Sequence, residues 1–237
     1  MNLIRTNSYE EMCAYVAKMI VGQVRRKPNS VLGLATGSSP LGVYRDLIKL
    51  YEEGMVDFSK VFTVNLDEYR GLPATHPESY AYFMKENLFN HINVVPGNTF
   101  IPDGKAKKPT VECARYDRVI DAFGGIDLQL LGIGYNGHIG FNEPSTRIVA
   151  GTHLVKLSKS TREANSRFFP DGKPPAYAYT VGMKTILDAK TVVLIAGEEK
   201  FEIVKRAFRG SITPSVPASL LQLHPNVTIV YMGKEEI

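Results

Sequence analysis

Cysteine is nearly absent from this 237-residue chain, which contains only Cys13 and Cys113. The two lie far apart on predicted helices and fit neither a zinc site nor a redox motif, so they read as structural thiols. Long apolar runs are missing as well: no window holds about 18 uninterrupted apolar residues. The opening Met1-Asn2-Leu3-Ile4-Arg5-Thr6 leads into an amphipathic stretch and has no basic region followed by an apolar one. These absences argue against a membrane span and a secretory leader, and the expected location is cytoplasmic. There is no proline-rich or polar low-complexity tract and no internal repeat, so one ordered domain over residues 1–237 is expected. Charged residues make up 22% of the chain with a net charge of +4. Because Lys and Arg are scattered and not interleaved with aromatics, a nucleic-acid groove is excluded and small anions are the better partners.

What is present is a rhythm. Short β-branched runs at Val31 to Ala35, Val61 to Leu66, Leu128 to Leu131, Thr191 to Ala196 and Val227 to Met232 read as buried strands. Between them, Pro40 to Glu53, Ser79 to His91, Val111 to Phe123 and Glu198 to Phe208 carry apolar residues at helical spacing. The alternation predicts a single-domain α/β fold, an open, mainly parallel Rossmann-like sheet with helices on both faces and right-handed crossovers. Residues 144–175 are rich in Gly, Pro, Ser and Thr without sustained periodicity and form a candidate lid.

Ligands of open α/β sheets bind beyond the carboxyl ends of the strands, and three of those junctions are chemically unusual. After the first predicted strand, Thr36-Gly37-Ser38-Ser39-Pro40 combines hydroxyls, a permissive glycine and backbone N–H groups at a helix start, which suits a phosphoryl group. It is neither a Walker A loop nor a dinucleotide fingerprint, so a nucleotide cofactor is not expected. After the second, Asp67 and Glu68 stand adjacent on extended chain. They point to opposite faces, so one acid enters a site and the other binds backbone or solvent. After the third, the glycine-rich run Gly132 to Pro144 carries His138 five positions before Glu143, which lets a returning loop set a carboxylate against the imidazole. The remaining histidines, His76, His91, His153 and His224, read as structural. No His-Glu-x-x-His pair or Cys/His cluster accompanies His138, so the expected chemistry uses no metal.

These residues resemble the glucosamine-6-phosphate deaminases, also called isomerases, over nearly the whole chain. The matching pieces are Thr36 to Pro40, Leu66 to Tyr69 with His76 to Tyr80, Gly137 to Pro144, Ala164 to Phe169 and Gly197 to Lys200. The resemblance implies a cofactor-independent hydrolase acting on an amino-sugar phosphate, which turns glucosamine 6-phosphate and water into fructose 6-phosphate and ammonium. It implies that His138, with Glu143 and Asn136 as relay or orienting partners, opens the sugar ring. Asp67 would shuttle a proton between C2 and C1, and the phosphate would rest on Thr36, Gly37, Ser38 and Ser39 with Arg167 and Lys200 closing on it. By residue type alone, Arg167 and Lys200 read as solvated surface charges; only the resemblance promotes them.

The chain departs from the family pattern twice. Asn136 stands where better-known members carry an aspartate, and an amide can orient but cannot hold negative charge, which leaves Glu143 to supply the carboxylate alone. His153 and Val155 stand where the larger allosteric hexamers have a basic effector-binding stretch, and the chain stops shortly after the strand at Val227 to Met232. A monomer or small homo-oligomer without allosteric activation by an acetylated amino sugar is therefore expected. Two rival readings are a 6-phosphogluconolactonase, which typically continues with Leu-Phe-Pro where this chain has Phe141-Asn142-Glu143-Pro144, and a sugar-phosphate sensor. The sensor would need a helix-turn-helix, and a single helix precedes the first predicted strand.

Overall fold

The computed structural model describes residues 1–169, 172–233 and 235–237. The five predicted strands form the centre of a seven-stranded sheet. In chain order its members are β1 (Asn2–Thr6), β2 (Val31–Leu34), β3 (Phe62–Asn65), β5 (Thr99–Phe100), β6 (Leu128–Leu131), β9 (Val192–Ala196) and β10 (Val227–Met232). Their spatial order is β1-β10-β9-β6-β2-β3-β5, with every pairing parallel. A smaller antiparallel sheet holds β4 (Asp67–Tyr69), β8 (Tyr177–Thr180) and β7 (His153–Lys156) in the order β4-β8-β7.

Strands buried on both faces need a helical layer on each side, and both layers are built here. On one face, α1 (Tyr9–Arg26), α2 (Leu41–Glu52) and α3 (Tyr80–Asn87) seal Leu32, Leu34, Leu128, Leu130, Val193 and Ile195 under Met12, Val43 and Met84. On the other, α4 (Pro109–Ala122), α6 (Met183–Leu187) and α7 (Phe201–Arg209) cover Val31, Val64, Leu131 and Leu194 with Tyr116, Ile186 and Val204. Both cysteines are free and buried. Among the described residues, no helix is long and apolar enough to cross a membrane.

Four local features differ from expectation. The hexapeptide does lead into the amphipathic helix α1, but its residues 2–6 form a strand that was not predicted, β1, whose partner β10 lies at the far end of the sequence. Its weak burial pattern gives no local signal, and the pairing is purely tertiary. The run at Val61 to Leu66 does not continue into Asp67. Leu66 donates its N–H to Leu34 O of the parallel sheet and accepts from Val181 N–H, so the chain passes there from one sheet to the other. Residues 144–175 are not irregular throughout, because they contain β7 and a short helix α5 (Lys159–Asn165), N-capped by the Ser158 hydroxyl and followed by a 3-10 turn at Ser166–Phe168. Pro170 and Asp171 of that segment lie outside the described residues. Finally, α2 begins at Leu41, so Pro40 is the residue before the first helical position and not the first itself.

Candidate active site

Strands β2 and β6 are neighbours, and from β2 the chain moves outward one way to β3 and the other way to β6. The carboxyl ends of these two strands therefore bracket the topological switch point, where such sheets bind ligands. A cavity of about 210 Å³ opens there. Its wall includes Thr36, Gly37, Ser38 and Ser39 after β2, Asp67 after β3, His138 after β6, and Lys200 after β9. Arg167, from the turn following α5, also faces it. All three junctions singled out by the sequence thus meet in one place. A larger cleft of about 680 Å³ lies on the other side of the Ser38–Ser39 loop, lined by Tyr9, Arg45 and Asn87, but it contains neither Asp67 nor His138.

The loop after β2 turns on Gly37, whose φ of +90° strongly favours glycine. The first amides of α2 are not free, contrary to expectation: Leu41 N–H reaches Ser38 O and Gly42 N–H donates to the Tyr9 hydroxyl. The anion-binding capacity lies one step earlier. Among the described residues, none accepts a hydrogen bond from the N–H groups of Gly37, Ser38 or Ser39, residues that line the cavity next to the hydroxyl-bearing Thr36. Lys200 adds charge, with its Nζ over the Tyr135 ring at 2.7 Å from the centroid. Burial pushes its ammonium down to about 8; Glu199 opposes that shift and Arg167 reinforces it.

The acid pair divides its labour through the strand pleat. Glu68 turns away from the cavity and accepts from the N–H groups of Tyr69 (2.8 Å), Tyr80 (3.0 Å) and Ala81 (2.9 Å), so it fixes the start of α3. Burial raises its carboxyl to about 7 against the pull of those three donors. Asp67 faces the cavity at 7% exposure and receives no hydrogen bond from any described residue. Burial, with Glu68 beside it, pushes its carboxyl up to about 8. A carboxylate kept poorly solvated and unpartnered is a strong base towards whatever enters the cavity.

His138 packs so tightly on Gly134 that a Cβ there would sit 2.1 Å from the ring, so any larger residue would displace the imidazole. Glu143 does return towards the imidazole, but the contact is indirect, at 3.8 Å from Nδ1. Asn136 stands between them: its Nδ2 donates to Glu143 Oε2 at 2.8 Å, and its Oδ1 meets His138 Nδ1 at 2.7 Å. A carboxylate only accepts, which orients the amide. The amide oxygen in turn requires the proton on His138 Nδ1, leaving Nε2 as the free base. Burial lowers the imidazole's pKa; Glu143 opposes this and Lys200 adds to it, which favours the neutral ring.

Sequence reasoning assigned no role to two participants: Thr161 of α5 donates its hydroxyl to Glu143 Oε1, and Asn165 donates to the Tyr69 hydroxyl at 3.0 Å. Tyr80, which the sequence left between shaping the pocket and packing, lines the cavity with its ring stacked on Phe141. The sequence held one signal for the first two: Ser158 caps a helix that places residues 161 and 165 on one face. The other four histidines make local contacts. His224 sits between Ala189 O and Asn226 N–H, His91 meets Glu86 O, His153 meets Gly151 O, and His76 accepts from Glu78 N–H. Among the described residues, no three His, Cys, Asp or Glu side chains gather into a group able to hold a metal ion.

Residues 5–230 match the family model described as glucosamine-6-phosphate isomerases/6-phosphogluconolactonase. A glucosamine-6-phosphate deaminase of Lachnoclostridium phytofermentans is 53% identical over 97% of this chain and 98% of its own length. One from Clostridium perfringens is 51% identical over 97% of this chain and 96% of its own length. Among solved structures, a monomeric glucosamine-6-phosphate deaminase superposes with a TM-score of 0.96 at 43% identity, covering 98% of this chain and 97% of that one. A 6-phosphogluconolactonase from Thermotoga maritima shares the fold at a TM-score of 0.75 and 19% identity, over 98% of this chain and 99% of that one. This chain belongs to the glucosamine-6-phosphate isomerase and 6-phosphogluconolactonase family.

Proposed function

We propose that this protein is a glucosamine-6-phosphate deaminase that converts its substrate and water into fructose 6-phosphate and ammonium. The observation that carries the reading is the convergence of an unpartnered carboxylate at Asp67, an oriented neutral imidazole at His138 and an anion nest at residues 37–39 on one cavity. The half-identical relatives of that name support it.

The phosphate binds the free N–H groups of Gly37, Ser38 and Ser39, with the Thr36 hydroxyl, Lys200 and Arg167 adding charge-assisted bonds. His138 Nε2 takes the proton of the anomeric hydroxyl and returns it to the ring oxygen, which opens the pyranose. Asn136 and Glu143 hold the tautomer that permits this. Asp67 then removes the C2 proton while the substrate's ammonium gives one proton to O1, forming an enol, and Asp67 delivers the C2 proton to C1, which leaves C2 as an iminium. Water adds to that carbon, a proton passes from the added water to the nitrogen, and the amine departs as ammonium once the new carbonyl has released its second proton. Every step uses side chains and water, so the reading is a cofactor-independent isomerisation with hydrolytic loss of the amine. It comprises a cytoplasmic enzyme, monomeric or a small homo-oligomer, in which residues 144–175 act as a lid.

Incubation with glucosamine 6-phosphate should release ammonium, whereas 6-phosphogluconolactone should be hydrolysed no faster than without protein. Lactone hydrolysis with silence on the amino sugar would move the chain to the lactonase side of the family.

A further inference from the structure

The helix α5 touches both halves of the proposed acid–base machinery. Thr161 and Asn165 lie one helical turn apart on the same face. The Thr161 hydroxyl donates to Glu143 Oε1, the oxygen that Asn136 leaves unused, and is itself fed by the Ser158 hydroxyl at 2.9 Å. The donors run in one direction: Ser158 to Thr161 to Glu143 on one side, and His138 Nδ1–H to Asn136 to Glu143 on the other. Glu143 is where the two chains meet. Asn165 instead ties α5 to Tyr69, two residues beyond Asp67 on β4. Two residues past Asn165, Arg167 reaches the wall of the cavity.

We propose that Thr161 is a positioning residue, which makes the ring-opening relay complete only when α5 is docked against Glu143. A carboxylate bound only by Asn136 is free to rotate, and an amide whose partner rotates no longer dictates which imidazole nitrogen bears the proton. With Thr161 in place, both carboxylate oxygens are held and Nε2 stays unprotonated. Contact of the substrate's anionic end with Arg167 then biases α5 towards docking, so phosphate recognition and ring opening are coupled through one short helix. The inference rests on the function proposed above, which supplies the reason for an unprotonated Nε2.

The test compares Thr161→Val, Thr161→Ser and Asn165→Ala in the full-length protein. Nitrogen-15 NMR of the His138 ring reads the tautomer without substrate, and ammonium release from glucosamine 6-phosphate reads turnover. The Val variant should lower kcat about tenfold, as loss of a hydrogen bond to a charged group does, with KM nearly unchanged. It should also turn the single Nδ1–H signature of His138 into a mixture of tautomers. The Ser variant should restore both readings, and Asn165→Ala should slow turnover while keeping the wild-type tautomer. A Val variant with wild-type tautomer and kcat overturns the proposal. So does a Ser variant as impaired as Val, or a tautomer change in Asn165→Ala equal to that in Val, because either outcome means general damage to α5. If the wild type releases no ammonium, the proposed function fails, and the tautomer measurement still decides the role of Thr161.

Discussion

Two buried aspartates stand at opposite ends of the same sheet, and their surroundings are inverted. Asp127 precedes β6, is 2% exposed, and accepts from Lys27 (2.6 Å), Lys190 (2.7 Å) and the Val31 N–H (2.8 Å). Burial works against its ionisation, but those three donors outweigh it and hold the carboxyl below the usual range. Asp67 follows β3 and is nearly as buried, yet no described residue donates to it and its carboxyl is pushed up to about 8. The first arrangement satisfies a charge and ties α1, β2 and the approach to β9 together. The second leaves a charge unsatisfied where a substrate can satisfy it. The amino end of the sheet is built for stability, and the carboxyl end gives some of that stability up for reactivity.

The sharpest way to break this comparison is to neutralise each acid. Asp67→Asn should lower ammonium release by roughly 10²- to 10⁴-fold, the range of a lost general base. It should also raise the melting temperature above pH 8. A carboxyl whose folded pKa is raised destabilises the fold progressively as pH climbs from the ordinary aspartate range to about 8, and the amide removes that penalty. An Asp67→Asn variant that keeps its activity, or is less stable than wild type at about pH 9, would erase the contrast. Lys200→Ala should raise KM about tenfold, with the largest effect on phosphorylated substrates, because a charge-assisted contact to the phosphate is lost. In the wild type, KM should climb with pH above about 8 as the ammonium loses its proton, which steady-state kinetics between about pH 7 and 9.5 would reveal. Asp127→Asn should leave turnover per folded molecule intact and cost about 1–3 kcal/mol of stability. That corresponds to about 2–4 °C in Tm per kcal/mol for a chain of this size. Its contribution is complete above the ordinary aspartate range and is lost on acidification through the lowered value, so the wild-type advantage should vanish below the ordinary aspartate range. The smallest effect belongs to Asn136→Asp. An anion beside Nδ1 should raise the imidazole pKa, readable by NMR titration, with turnover changing by only about a few-fold.

Much of the fold was legible because it repeats a local rule. Val192 to Ala196 is apolar on both faces and Leu128 to Leu131 is so apart from Gln129, and only a doubly covered parallel strand accepts that. Strands whose partners define them were not: β1 is half polar, β5 has two residues, and β7 and β8 exist because each supplies the other's hydrogen bonds. The site follows the same divide. Asp67, His138 and the Gly37 loop were visible because they sit where strands end. The indirect approach of Glu143 through Asn136, and the role of Thr161, depend on where α5 docks, and no spacing in the sequence encodes that.

The edge pairing of β1 has a consequence for synthesis. Asn2 lies beside Thr228 and Thr6 beside Met232, so residues far apart in the order of synthesis share one ladder. At about 5–20 residues per second, the opening strand waits roughly 10–45 s for its partner. Because β10 also separates β1 from β9, a nascent chain interrupted before Val227 presents two open strand edges to its neighbours. Closing that border late makes β10 a checkpoint against self-association.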